Sequence, residues 1–414
     1  VFTRIEFAPE HDEEFFAALP ASAAVFVLRP TVAGAEPYVS KTANLRRRLQ
    51  RLLGVAEGRR LSLRERVASV EFCPVGGDFE AGFALYRLLR REFSEKYTER
   101  LHLRPAALIH LHKENAYPRL TVTSRIRSLR GAGAYFGPFA TRAEAEQYAN
   151  DSLDFFLLRR CTEELAPDPQ FPGCVYSEMK MCLAPCFKGC TDERYAEEAA
   201  RVERYLESGG HSLVVEIGRA RDEASERLEF EAAAAAHARL EKLKSVQSRI
   251  AEIVHRIDQL NGLLLQPSHV PGHIALFRIA GGMLHGPIAF DVSARGLKPE
   301  PKPPEGETTG AKPHPAPAAQ VQSMEARIKE LLHGVEATAP RSAQEWMEHI
   351  ALLKRWYYRS SKVGEIFFED EHGTLPMRRV VRAVGRVFKG EKPTGDLSET
   401  AGDYWTFRAR EAGL

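Results

Sequence analysis

Five of the chain's six cysteines fall between Cys161 and Cys190, in the stretch CTEELAPDPQFPGCVYSEMKMCLAPCFKGC. Twelve, seven, three and three residues separate Cys161, Cys174, Cys182, Cys186 and Cys190 in turn. Four thiolates are a soft ligand set that suits either tetrahedral zinc or an iron–sulfur cubane. Zinc sites more often use paired short spacings, and here only the last gaps are short, so spacing alone leaves the two nearly even. The stretch has few apolar residues of its own, and a closed four-thiolate centre would supply its folding energy. Cys190 reads as a local surface or core cysteine rather than a ligand, and Cys73, inside a strand pattern, as core.

A second set of chemically apt residues is basic. Residues 41–66 carry Lys41, Arg46, Arg47, Arg48, Arg51, Arg59, Arg60, Arg64 and Arg66 against Glu57 and Glu65, a local net of +7. Arginine matches phosphate geometry, and a run of it without balancing acids points to sequence-independent, salt-sensitive contact with nucleic acid. The competing reading is a solvated helix face. Residues 191–231 reverse the sign, with twelve acids against six bases, a local net of −6. Opposite fields on two segments imply two partners of opposite character.

These residues need a frame, and the 414-residue length allows two to four domains, each with its own core. An apolar fraction of 44% with 28% charged residues belongs to a folded globular chain, and the formal net charge is +2. No apolar run has the length of a membrane span, and the first residues lack a basic-then-apolar signal pattern. The expected setting is the cytoplasm, where clustered cysteines favour metal over disulfides. In chain order, Ala24 to Leu28 and the PYVS run that follows predict a hairpin. Asn44 caps and Gly54 ends a basic helix lined by Leu45, Leu49 and Leu52 or Leu53. Val67 to Val75 predicts a strand, and Asp78 to Tyr97 a long helix with Phe79, Phe83, Tyr86, Leu89 and Phe93 as its apolar stripe.

That order, with Val25-Phe26-Val27 and Tyr38-Val39-Ser40-Lys41, resembles the GIY-YIG nuclease domain that opens the UvrC excinuclease subunit. The resemblance continues through Asn115-Ala116-Tyr117-Pro118-Arg119 with Thr121-Val122-Thr123, similar to the family's tyrosine-proline strand. Ala134-Tyr135-Phe136-Gly137-Pro138-Phe139 is similar to its YFGP signature, and the cysteine stretch follows. Residues 219–244 resemble the UVR helical hairpin that docks on the UvrB subunit. The chain is thus identified as a member of the UvrC family over residues 15–256. Resemblance implies an α/β GIY-YIG-like domain (15–100), an α/β extension (101–160), the cysteine segment (161–190) and a helical region (191–256). It also selects Cys161, Cys174, Cys182 and Cys186 as ligands of a [4Fe–4S] cluster, with zinc as the alternative.

Carried over residue by residue, the family's first tyrosine falls on Phe26, which can neither give nor accept a proton. The second tyrosine, the lysine and the arginine are kept as Tyr38, Lys41 and Arg48. The metal-binding glutamate falls on Leu85 and the asparagine on Tyr97. Ala81 to Arg91 contains no carboxylate, so a register slip of one turn restores no oxygen ligand for a hard cation. The expectation is a vestigial nuclease site on a DNA-binding surface that includes Arg46, Arg47, Arg51, Arg59 and Arg60. An active metal-dependent nuclease borrowing carboxylates from elsewhere is one alternative. An interaction protein that engages UvrB and never touches DNA is another.

In the helical region a break is expected at Ser208-Gly209-Gly210. Leu228, Phe230, Glu231, Ala233 and Leu240 are the expected docking residues for UvrB, another UVR-bearing protein or a second copy. An intramolecular bundle would use the same pattern. Past Ile257 the reading is a β-hairpin region (257–296) around Gly281-Gly282, a proline-rich linker (297–318) and a small α+β region (319–414). Within that last region Gln320 to His333 and Gln344 to Tyr358 predict helices, while Glu365 to Glu369 and Arg379 to Phe388 predict strands. The RNase H-like nuclease and helix-hairpin-helix module of full-length UvrC are not expected.

Overall fold

The computed structural model describes residues 2–55, 63–127, 129, 134–292 and 323–391. Arg59, Arg60 and the proline-rich linker lie outside the described residues.

The first sheet joins β1 (Thr3–Glu6), β2 (Ala24–Pro30), β3 (Tyr38–Thr42) and β4 (Val67–Pro74) in the order β1-β4-β2-β3, antiparallel throughout. Helix α1 (Asp12–Ala18) and the basic helix α2 (Leu45–Leu53) cover one face, burying Phe15, Phe26, Leu45, Leu49 and Leu53 together. The Asn44 side chain accepts the Arg47 backbone N–H at 2.9 Å, as an N-cap should. On the other face, α3 (Asp78–Phe93) leads through a short turn into α4 (Tyr97–Leu101). The expected single helix from Asp78 to Tyr97 is therefore broken after Phe93, where Ser94 adopts φ 43°.

A second sheet, ordered β6-β5-β7-β8, uses β5 (Ala107–Leu111), β6 (Leu120–Thr123), β7 (Ala134–Phe139) and the two-residue β8 (His255–Arg256). Helix α5 (Arg142–Leu153) packs on it. The cysteine segment follows, with one short helix, α6 (Val175–Glu178), and then α7 (Asp192–Glu207). The break at Ser208-Gly209-Gly210 falls where the sequence places it, since Gly209 and Gly210 take φ 56° and 92°, conformations that glycine adopts without strain. Beyond it α8 (His211–Glu226) and α9 (Phe230–Gln247) form an antiparallel hairpin.

The third sheet overturns the division of the C-terminal half. It consists of β9 (Gly262–Pro267), β10 (His273–Ala280), β11 (Met283–Asp291) and β12 (Glu365–Phe368), ordered β11-β10-β9-β12. Phe367 pairs with Leu263 and Glu365 with Leu265, so residues on both sides of the proline-rich stretch belong to one sheet. Helices α10 (Met324–His333) and α12 (Met377–Lys389) bury one face with Ile328, Val380, Val384 and Val387. The predicted strand Arg379 to Phe388 is this helix α12. Its buried residues recur at positions 380, 383, 384 and 387, the helical and not the strand period, and the short run of β-branched residues masked it. Helix α11 (Ala343–Tyr357) fills the other face of the sheet and packs against α3. Gly282, at φ 75°, sits so close to Ile350 that a Cβ would lie 2.7 Å from its Cδ1, and the Trp346 indole donates to Gly281 O at 2.8 Å. Among the described residues, no helix is long and apolar enough to cross a membrane.

Candidate metal centre and nucleic-acid groove

Cys161, Cys174, Cys182 and Cys186 line one small cavity together with Arg159, Arg160, Leu165 and Pro185. The chain converges there because each loop around it is tied down locally. Cys174 N–H donates to the Ser177 hydroxyl at 2.9 Å, Asp168 N–H to Cys186 O at 2.9 Å, and Leu183 N–H to Leu157 O at 3.0 Å. Burial raises the Cys182 and Cys186 thiols above the ordinary range, and the neighbouring sulfurs push the same way. Cys190 lies apart. Its charged neighbours are Asp192 and Arg194, and it packs at the edge of the core formed by α5, α7 and α9. All six cysteines are unbridged.

The surroundings of the four cysteines are cationic. Buried Arg159 donates to Tyr117 O at 2.9 Å, Glu163 O at 2.9 Å and Cys161 Sγ at 3.5 Å. Arg160 donates to Asp154 at 3.0 Å while its own Nε is buried without a partner. Two guanidinium groups beside four thiols offset the negative charge that a thiolate set would carry. The signal for them, Arg159-Arg160-Cys161, was in the sequence and was passed over.

The second site is the groove between β3 and α3. Arg48 donates to the Tyr38 hydroxyl at 3.2 Å. Phe26 is wholly buried with its ring 6.1 Å from that of Tyr38, and it stands opposite Ser40 in the ladder. The groove takes in Tyr38, Ser40, Lys41, Leu85 and His102, and its one lining carboxylate is the exposed Glu99. A neighbouring concavity adds Asp78, Arg355 and Arg359 beside Lys41 and Leu85, with Asp78 paired to Arg359 at 2.8 Å. Burial pushes the Lys41 ammonium down; Asp78 counteracts this, and Arg355 and Arg359 reinforce it. Tyr97 is not in this groove at all. Its hydroxyl donates to the buried Glu348 carboxylate of α11, at 2.7 and 2.9 Å from the two oxygens.

The basic stripe divides in two. Arg46 is committed to structure, donating to Leu19 O at 2.9 Å and Ala17 O at 3.2 Å, the carbonyls that end α1. Its place among the phosphate contacts is corrected on that ground. Arg64 is likewise bound to Asp12, Leu53 O and Pro9 O. Arg47 and Arg51 are exposed on the outer face of α2.

At the hairpin, Leu228 and Phe230 are each 70% exposed at the tip, and Glu231 is also exposed. Ala233 is half-buried. Leu240 is 4% exposed and belongs to the core with Leu243, Val246 and Tyr205. It cannot be a docking residue, because the lower half of α9 is the intramolecular bundle and only the upper half projects.

Residues 106–205 match the family model described as the UvrC/Cho excinuclease middle domain. The chain is similar to the UvrABC system protein C of Rhizobium meliloti, 32% identical over 230 residues, covering 52% of this chain and 32% of that protein. It is similar to the same protein of Idiomarina loihiensis, at 28% over 222 residues, covering 51% and 34%. With that of Francisella tularensis subsp. holarctica the identity is 25% over 272 residues, covering 63% and 42%. The matched stretch spans less than half the length of these relatives. No solved structure matches. The chain is UvrC-like.

Proposed function

We propose that this chain is a nucleotide excision repair protein that binds DNA and docks on a UvrB-type partner without cutting DNA by the GIY-YIG chemistry. The observation that carries the reading is the composition of the β3–α3 groove. Tyr38 and Lys41 are kept there, with Arg48 donating to the Tyr38 hydroxyl, but a buried phenylalanine stands for the base and a leucine for the metal ligand. Positive groups and a phenol can hold a phosphate in place. With leucine where the resemblance places the metal ligand, the groove keeps one exposed carboxylate, Glu99, in place of the family's metal site for the charge that develops on the leaving oxygen. DNA contact is supported by the exposed Arg47 and Arg51 beside this groove. Partner docking is supported by Leu228 and Phe230, large apolar side chains held in solvent at a hairpin tip.

The cysteine centre in this reading holds a [4Fe–4S] cluster through Cys161, Cys174, Cys182 and Cys186. The one cavity that the four cysteines share and its arginine neighbours support a thiolate-held centre, and the family resemblance selects the cluster over zinc. When bound, the cluster supplies four strong bonds that close a segment poor in apolar residues, an architectural role. A reducing cytoplasm is the setting such a cluster requires.

The test is incision of a lesion-bearing duplex by the purified chain with UvrB and magnesium or manganese. Salt-sensitive binding without nicking is expected. Metal-dependent nicking abolished by Arg48→Ala would overturn the proposal. One observation favours the active alternative, namely Glu99 in the groove, so Glu99→Gln is the paired variant. Nicking lost in both variants would identify Glu99 as the borrowed metal ligand.

A further inference from the structure

We propose that His110, His112 and Glu114 form a binding site for a single first-row divalent cation such as zinc, separate from the cysteine centre. His110 lies in β5, with His112 just beyond its end and Glu114 in the turn that follows. One ligand atom from each lies within 4.8 Å of the other two. The arrangement has the parts of a built site. His110 is 6% exposed, and its Nε2 is buried with no hydrogen-bond partner. Its ring is stacked flat on Tyr135, with centroids 4.1 Å apart and 7° between planes, which fixes its orientation.

His112 is oriented from both sides. Nδ1 lies 2.7 Å from Glu114 Oε1, and Nε2 lies 2.7 Å from Thr121 Oγ1. With Nε2–H donated to Thr121, Nδ1 is the nitrogen left to ligate, the arrangement in which an outer hydrogen bond sets the ligating tautomer, and its 2.7 Å contact with Glu114 is held by a shared proton until a cation displaces it. A cation would then sit between Nδ1 and the carboxylate in place of a shared proton. Two imidazoles and one carboxylate make a three-ligand set that leaves a fourth position for water, and Glu114, 36% exposed at its side chain, faces solvent and gives the ion its entry. A plain His–Glu ion pair explains the contact of His112 with Glu114. It leaves the buried, unpartnered nitrogen of His110 unexplained.

The test is zinc retention by the full chain with its cysteine centre loaded. Protein freed of loosely held metal by dialysis against chelator is titrated with zinc and counted by elemental analysis. The wild type is expected to hold one zinc more than Glu114→Gln and His112→Gln, with iron and sulfide unchanged. Loss of an outer-shell partner costs about 10–100-fold in metal affinity, so each ligand substitution should weaken binding by at least that, and Thr121→Val by about tenfold. Cobalt bound at the site should give a spectrum without thiolate charge-transfer bands. Glu114→Gln keeps the side-chain size at an exposed position, and an unchanged melting curve separates metal loss from misfolding. Equal zinc in wild type and both variants, or thiolate bands on the cobalt counted by difference, would overturn the proposal.

Discussion

Removing one hydroxyl, Tyr97→Phe, tests whether the start of α4, just past α3, serves packing rather than chemistry. Tyr97 and Glu348 are 8% and 9% exposed, and the phenol donates to both carboxylate oxygens, at 2.7 and 2.9 Å. Gln344, one turn away on α11, donates to the same carboxylate at 3.1 Å. Phenylalanine preserves the ring, its edge contact with Tyr86 at 6.4 Å and the Arg90 guanidinium over its face at 5.7 Å. What is lost is a hydrogen bond to a buried charged acceptor, worth about 1.5–3 kcal/mol, and Glu348 is left with weaker company. A cost of about 2 kcal/mol corresponds to roughly 30-fold in the folding equilibrium. Tyr97→Asn, which restores the residue type that the resemblance assigns there, should cost about 3 kcal/mol or more, because the buried ring goes too. The assay is urea unfolding followed by the fluorescence of Trp346 and Trp356, both buried on α11, with Trp405 replaced by phenylalanine. Paired with Glu348→Gln in a double-mutant cycle, the coupling should be about 1–2 kcal/mol. An unmoved midpoint for Tyr97→Phe with coupling under about 0.3 kcal/mol would refute the reasoning. So would Tyr97→Asn gaining metal-dependent nicking at no cost in stability.

Four further outcomes are expected. Cys182→Ser should abolish the visible absorption of the iron–sulfur centre and Cys190→Ser should leave it intact; a colourless wild type with bound zinc would reverse the metal assignment. Leu228→Asp with Phe230→Asp should weaken capture by immobilised UvrB by about 2–4 kcal/mol, with the melting curve unchanged because both side chains are in solvent. Arg47→Ala with Arg51→Ala should lower DNA affinity and flatten its salt dependence, while Arg46→Ala should instead destabilise the first sheet by about 1–2 kcal/mol through the end of α1, read by thermal unfolding. Buried Glu80, which accepts the Gly76 N–H at 2.7 Å, has its pKa raised by burial against that hydrogen bond. The folded state then holds its proton more tightly than the unfolded one, so this group makes stability fall as pH rises from about 4.5 through its folded pKa. Glu80→Gln should remove that slope in urea titrations run across the window.

How far the sequence carries can be argued from particular elements. The N-terminal sheet and α2 were legible because their signals are local: Asn44 before a period of leucines, Gly54 after it, and strands bounded by turn residues. The four-cysteine set came from the family resemblance, since spacing alone does not set Cys190 apart, and those four line one cavity. The contacts that define the grooves were not legible, because they are long-range. Tyr97 meets Glu348 across 251 positions, and Arg359 meets Asp78 across 281. Nothing in the periodicity of either segment encodes its partner. The pairing of β12 with β9 failed for the same reason, since a proline-rich stretch reads as a boundary whether or not the chain beyond it returns to the same sheet. Arg46 failed differently. Its type and neighbours are those of a phosphate-binding arginine, and only the position of the α1 carbonyls shows that two of its donors are already committed to the fold.

The helix α11 explains why the changes in the first domain occur together. It contributes Glu345 to Arg90 at 2.5 Å, Glu348 to Tyr97, and Trp356 to the edge of Phe79 at 6.0 Å, so the C-terminal sheet grips α3 along most of its length. A helix gripped in this way is selected for the face it presents to its partner. Phe79, Phe83, Tyr86 and Tyr97 all serve one apolar core shared with Phe277, Trp346 and Ile350. A carboxylate at Leu85, partly buried at the margin of that core, would have to be desolvated beside it unless a cation were bound. Leucine removes that cost, and a buried phenylalanine at position 26 adds to the core beneath the sheet. On the proposed reading, in which these positions replace a base and a metal ligand, the two replacements and the re-used tyrosine are one physical change, the conversion of an active-site helix into a docking helix.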